Sequence, residues 1–210
     1  MRCVIVGGAD IGDYERVRAG LGRDDFIIFC DSGLKHMDRL GVRPSLIVGD
    51  FDSWQNPMMA VETIVLPTEK DDTDTFFAVR EGLRRGCDSF LLIGVVGARL
   101  DHTLGNVSIL FYLDSLGVPA RITDDYSDME VVSQKGAAIG SEYAFFSLLN
   151  IGGTAEGVMI TDARYPLENA VITCEYPYAI SNEVLPGRTA GVSVGKGRLL
   201  LIKVRKDREV

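Results

Sequence analysis

Short, continuous apolar runs alternate with stretches of helical spacing over the first 123 residues. RCVIV (2–6), FIIFC (26–30), SLIVG (45–49), TIVLP (63–67), SFLLIGV (89–95) and ARIT (120–123) read as strands. Between them, helical spacing covers Tyr14–Leu21, Leu34–Leu40, Thr73–Arg85 and Leu104–Leu116, with Gly41 and Gly86 as stops after the second and third. Unbroken apolar strands separated by helices predict a parallel sheet covered on both faces. After Asp124 and Asp125 the helical periodicity ends. MEVVSQ, EYAFFSLLNI, GVMITDA, NAVITCEY, GVSVG and RLLLIKV follow, punctuated by glycines and by Pro166, Pro177 and Pro186. That pattern predicts a second, all-β domain of sandwich or barrel-like form. No repeat or low-complexity linker separates the parts, so close packing is expected, with RKDRE (205–209) as a solvated tail.

Composition narrows the class of protein. The chain has 210 residues, 46% hydrophobic and 25% charged, with a net charge of −8, which disfavours general affinity for nucleic acid or anionic membranes. No apolar run approaches the ~20 residues of a bilayer span. MRCVIVGGAD reads as a first strand rather than a signal peptide. Cys3, Cys30, Cys87 and Cys174 are scattered without a CxxC pair, the pattern of buried, reduced thiols in a cytoplasmic protein. His36 and His102 are the two histidines, too few for a histidine-rich metal centre. Any metal would be held by oxygen, as magnesium, manganese or calcium are.

The candidate chemistry lies at the ends of the strands. Asp31 follows FIIFC, Asp50 and Asp52 follow SLIVG, Asp71, Asp72 and Asp74 open the helix after TIVLP, and Asp101 lies just beyond SFLLIGV. Open parallel sheets bind ligands at their carboxyl edge. On an extended backbone Asp50 and Asp52 would point the same way. Each acid also has a local use: Asp31 as a cap, Asp71 or Thr73 as an N-cap, Asp101 as a partner of Arg99. Four segments delivering Asp to one edge is a different matter. Like charges that close cost several kcal/mol unless neutralised, and a divalent cation neutralises them. Lys70, Arg99 and His102 interleave with the acids, as a metal–polyphosphate substrate requires, and Asn106 stands one helical turn past His102.

Two glycine-rich stretches carry less. VGKG (194–197) fails the GxxxxGK[ST] phosphate loop at Ala190 and Gly197 and reads as a hairpin turn between strands. VGGADIG (6–12) is a tight strand-to-helix turn that leaves room for a backbone-amide contact to phosphate. A Mg²⁺-dependent phosphohydrolase and a non-catalytic nucleotide- or vitamin-binding module are alternative readings of the same acids.

In order and spacing, DSG (31–33), PSLIVGDFDS (44–53), KDDTD (70–74), GARLDHTLGN (97–106), RYPL (164–167) and ISNE (180–183) resemble the thiamine pyrophosphokinase family, over nearly the whole chain. The resemblance implies a Rossmann-like α/β domain binding ATP and Mg²⁺ over 1–125 and a β-sandwich domain binding thiamine over 126–210. It implies transfer of pyrophosphate from ATP to the thiamine hydroxyl by a homodimer with active sites at the subunit interface. By the same resemblance, Asp31, Asp50, Asp52 and Asp74 would hold Mg²⁺ on the triphosphate. Asp101 would lie near the transferring group, as the candidate general base, and Arg99 would stabilise developing charge. Lys70, Thr73, His102 and Asn106 would contact nucleotide or phosphate, and Ser181 and Asn182 thiamine. The chain departs from the family pattern in two places. Asp162–Ala163 stands where a glycine precedes RYPL, and Leu201 where some members carry a thiamine-stacking Trp.

Overall fold

The apolar runs of the first half pair in parallel. In the computed structural model, which describes residues 1–51, 59–69 and 71–206, the strands are β1 (Arg2–Val6), β2 (Phe26–Cys30), β3 (Leu46–Gly49), β4 (Thr63–Val65), β5 (Ser89–Ile93) and β6 (Ala120–Thr123). They lie in the order β4-β3-β2-β1-β5-β6, each neighbouring pair parallel. The chain steps outward from β1 to β4 and then returns to the other side of β1, which makes the β1/β5 boundary the topological switch point.

Both faces of β1, β2, β3 and β5 are covered, which explains why their runs are continuously apolar rather than alternating. Val4, Val6, Ile27, Phe29, Ile47, Leu91 and Ile93 pack with Val17 of α1 (Tyr14–Ala19). Leu34 from a 3₁₀ turn over Asp31–His36 and Leu40 of α2 (Met37–Leu40) complete that cluster. On the opposite face, Gly82 of α3 (Asp74–Arg84) lies so close to Cys3 and Phe90 that a Cβ there would come within 3.0 Å of both. Phe76 of α3 meets Tyr112 of α4 (Leu100–Ser115) edge-on at 5.0 Å.

The chain divides into two compact units after Asp125. The second unit holds two antiparallel sheets. One, of β7 (Ser127–Val132), β9 (Tyr143–Leu149) and β13 (Leu199–Arg205), has β13 in the middle. The other, ordered β11-β10-β12-β8, comprises β8 (Ala137–Ile139), β10 (Thr154–Thr161), β11 (Leu167–Thr173) and β12 (Ala190–Ser193). Inward residues of both sheets, among them Val132, Phe146, Leu148, Val158, Ile160, Ile172, Val192 and Leu201, form a single core.

Several sequence expectations change. The last helix of the first unit begins at Leu100 rather than Leu104, which puts Asp101 and His102 inside its first turn. β8 is too short for its alternation to register in the sequence. VGKG is not a hairpin: it carries the chain from β12 in one sheet to β13 in the other, with Gly195 and Lys196 bonded to Glu156. Cys174 is exposed, because it lies past the end of β11, while Cys3, Cys30 and Cys87 are buried. Asp162, where the family pattern has glycine nearby, adopts a left-handed φ of 53°. Asp tolerates that conformation better than most side chains.

The packing tests itself at two glycines. A Cβ on Gly33 would sit 2.2 Å from the Val6 carbonyl oxygen, so Gly33→Ala should lose several kcal/mol or fail to fold. A Cβ on Gly105, within α4, meets open space, so Gly105→Ala should gain about 0.5–1 kcal/mol. Urea denaturation of both variants reads the two signs.

Candidate active site

Parallel register brings the carboxyl ends of β2 and β3 level, with Cys30 beside Val48. One step further the main chain of Asp31 lies against Gly49, whose hypothetical Cβ would stand 3.1 Å from the Asp31 Cα. A hydrogen at 49 eases that approach, and Asp50, the next residue, stands at the same sheet edge as Asp31. Asp31 turns the chain with a φ of 39°, and Phe51 does so with a φ of 57°. A bulky aromatic in this region is a strained exception that its surroundings must enforce. Packing of Phe51 on the core under β1–β3 is that enforcement. The extended geometry expected to align Asp50 with Asp52 is thus broken at Phe51, and Asp52, with Lys70, lies outside the described residues.

Asp74, the first residue of α3, joins the same edge. The Cys30 thiol donates to the Asp74 carbonyl oxygen at 3.7 Å. Burial pushes the Cys30 thiol pKa up, and the negative charges of Asp74 and Asp31 push it further. Asp31 is buried, and the Oδ1 atoms of Asp31 and Asp74 are both shielded from solvent. Thr73 spends its hydroxyl as the N-cap of α3, accepting from the Phe76 amide at 3.2 Å. Asp72 pairs with Arg80 at 2.7 Å.

This donor set is all oxygen and fits a hard divalent cation in its chemistry. Among the described residues, no three His, Cys, Asp or Glu side chains stand close enough to hold an ion alone. Mg²⁺ keeps several waters and takes phosphate oxygens from its substrate, so one or two carboxylates suffice for it.

At the switch point the backbone is drawn tight. The Gly7 amide donates to the Ile93 carbonyl at 2.9 Å and the Ala9 amide to the Gly94 carbonyl at 2.8 Å. The loop after β5 is braced by two residues of α4. Thr103 Oγ1 accepts from the Gly97 amide at 3.1 Å, and buried Asn106 donates to the Val95 carbonyl at 2.9 Å. Asn106, expected as a nucleotide contact, has its amide turned to this loop. Arg99 meets Asp101 with two hydrogen bonds, Nε to Oδ1 at 3.0 Å and Nη2 to Oδ2 at 2.6 Å, in a pair whose side chains are 71% and 65% exposed. The Arg99 guanidinium holds the Asp101 carboxyl well below the usual carboxylate range. Such an acid keeps its charge at neutral pH and is a weak proton acceptor. His102, next along α4, is exposed.

In the second unit Ser181 takes a left-handed φ of 58°, and its amide donates to Ser147 Oγ at 3.0 Å. Asn182 is buried. Its Oδ1 accepts from the amides of Tyr165 (3.0 Å) and Glu183 (2.9 Å), and its Nδ2 donates to the Tyr165 carbonyl (2.7 Å). Asn182 therefore clips RYPL to ISNE through its own side chain. Leu201 is wholly buried in the second unit's core. Sequence reasoning passed over Tyr14 and His36, which join α1 and the 3₁₀ turn beside the β1 loop. No spacing pattern marks a lone histidine as buried.

The model of the thiamin pyrophosphokinase catalytic domain matches residues 18–122, and that of the thiamin pyrophosphokinase vitamin B1 binding domain matches residues 132–199. A thiamine pyrophosphokinase of Bacillus subtilis (strain 168) is 27% identical over 181 residues, 82% of this chain and 84% of that protein. The crystal structure of thiamin pyrophosphokinase from Geobacillus thermodenitrificans superposes with a TM-score of 0.84 at 26% identity, covering 100% of both chains. That of thiamine pyrophosphokinase from Bacillus subtilis gives 0.87 at 24% identity, over 98% of this chain and 100% of the other. The Candida albicans thiamin pyrophosphokinase shares the fold, with a TM-score of 0.78 at 12% identity over 98% and 89%. With both of its units matched in order, the chain belongs to the thiamine pyrophosphokinase family.

Proposed function

We propose that the chain transfers the pyrophosphoryl group of ATP to the hydroxyl of thiamine, giving thiamine diphosphate and AMP. The observation that carries this reading is the gathering of Asp31, Asp50 and Asp74 at the carboxyl edge of the parallel strands, within the segment matched by the family's catalytic-domain model. In this reading the first unit is a Rossmann-like nucleotide domain and the second a β-sandwich for thiamine. The active form is a cytoplasmic homodimer with its sites at the subunit interface.

Asp31, Asp50, Asp52 and Asp74 are the residues that would hold Mg²⁺. Bound there, the ion would supply positive charge to offset that of the phosphates. Attack of the thiamine hydroxyl on the β-phosphorus and departure of AMP demand position and charge more than a nucleophilic side chain. Arg99, fixed by its two bonds to Asp101, presents a permanent cation near the edge to meet developing charge. Asp101, held ionised by that pair, serves better as the orienter of Arg99 than as the base. Lys70 and His102 would contact the triphosphate. Thr73 and Asn106, with hydroxyl and amide engaged, act by fixing α3 and the β5–α4 loop. Ser181 would touch thiamine from its left-handed turn, and Asn182 would hold that turn in place.

The direct test is incubation with ATP, Mg²⁺ and thiamine. AMP and thiamine diphosphate should appear in equal amounts, whereas inorganic phosphate released without thiamine would indicate a hydrolase and reject the reading. Asp50→Asn and Asp52→Asn should each lower kcat by ~10²-fold or more and weaken the Mg²⁺ response; near-native turnover with an unchanged Mg²⁺ titration would sink the metal assignment. Arg99→Ala should lose activity with little change in Tm, because exposed pairs contribute only ~0–1 kcal/mol. Asn182→Ala should do the reverse at first order, losing about 2 kcal/mol or more of unfolding free energy through stranded amides. Mixing Asp52→Asn with Ser181→Ala subunits should restore roughly a quarter of wild-type sites if each site is shared between protomers. No recovery after confirmed subunit exchange would place each site within one chain.

A further inference from the structure

His36 is 1% exposed, yet both of its ring nitrogens are engaged. Nε2 lies 2.9 Å from the Ala9 carbonyl oxygen and Nδ1 lies 2.5 Å from the Tyr14 hydroxyl. A carbonyl only accepts, so Nε2 carries the proton, and Nδ1 then accepts from the hydroxyl. The two rings meet at a tilt of 52° with centroids 5.6 Å apart, and the Arg39 guanidinium lies 3.7 Å from the Tyr14 ring centroid. Burial lowers the His36 pKa, and Lys35 and Arg39 add to it, against the opposing pull of the Ala9 carbonyl and of Asp10; the net shift is downward and favours the neutral ring, with the proton on Nε2.

Ala9 is where the loops on either side of the switch point meet. Its amide is bonded to Gly94, and its Cβ would stand 2.9 Å from a Cβ on Gly97, an approach that only the missing side chain permits. Gly97 is in turn held by Thr103, two residues after Asp101. On the other side, His36 closes the same 3₁₀ turn that Asp31 opens. A single residue, Ala9, thus joins the turn carrying a candidate metal ligand, through its carbonyl, to the loop that leads to Arg99, through its amide and Cβ.

We propose that His36, oriented by Tyr14, is a positioning residue for the ATP site, pinning Ala9 and through it the two glycine loops at the β1/β5 switch point. The inference rests on the reading of that edge as the ATP site. A histidine that merely filled the core would affect stability alone. A positioning residue changes how ATP is held and leaves thiamine binding untouched.

The test compares Tyr14→Phe, His36→Ala and His36→Gln with the wild type, by steady-state kinetics, Tm and calorimetric titration with ATP and Mg²⁺ in the absence of thiamine. His36→Ala should raise the KM for ATP about tenfold, with the KM for thiamine within about twofold. Tyr14→Phe should move the same constant less. His36→Gln, whose amide N–H can reach the Ala9 carbonyl, should recover most of the loss. An ATP KM within about twofold of wild type in folded Tyr14→Phe and His36→Ala overturns the proposal, as does an equal rise in both KM values. Should His36→Ala not fold, Tyr14→Phe and His36→Gln decide by the same criteria. A wild type that forms no thiamine diphosphate defeats the functional reading. The titration then decides this inference separately: ATP affinity weakened by Tyr14→Phe and restored in His36→Gln supports it, and unchanged affinity rejects it.

Discussion

Between Gly7 and Gly94 the two wings of the parallel sheet meet backbone to backbone, and a Cβ on either residue would lie 2.6 Å from the other's carbonyl oxygen. The same constraint recurs where Gly33 faces Val6 and, less tightly, where Gly49 faces Asp31. Each contact removes the thickness of a side chain from the binding edge, so loops that would otherwise be separated by a layer of atoms touch directly. The charged groups at that edge inherit their placement from main-chain packing, which has little freedom to drift. Preorganisation of this kind is what charge-stabilising catalysis demands.

Much of the first unit was legible because its strands are buried on both faces. RCVIV and FIIFC coincide with β1 and β2 residue for residue, since a nearly unbroken apolar run has only one way to sit between two helical layers. The start of α4 was not legible: Leu100 and Leu104 are 66% and 55% exposed, so the apolar spacing that marks a helix says nothing about that turn. The strand-end acids Asp31 and Asp50 could be placed at one edge from order alone. That Phe51 breaks the extended chain between Asp50 and Asp52 could not, because nothing local favours a left-handed aromatic; tertiary packing imposes it.

The second unit was legible as strands and illegible as connections. Turn residues marked six of its seven strands, but which sheet each joins depends on long-range pairing, and VGKG links two strands that never pair with each other. Polar residues in its interior have a common logic. Asp128 is fully buried and meets Arg205 and the Tyr143 hydroxyl, and Lys203 reaches Glu130 at 2.5 Å. Removing one member of such a set strands a charge, so these contacts favour one strand register over its neighbours more than they add stability. Asn182 does for two loops what those charges do for strands.

Cys174 gives the molecule a chemical asymmetry. Cys3 and Cys30 are buried with pKa values pushed well up by desolvation, and Cys87 is buried and shifted the same way, while Cys174 stands in solvent just before the stacked pair Tyr176 and Tyr178. Thiol electrophiles select by exposure and thiolate character. A maleimide dye would therefore attach at one place in the native chain, seven residues ahead of Ser181, with no cysteine to delete or introduce. The fold thus supplies its own labelling position, within the segment that the vitamin B1 binding domain model matches.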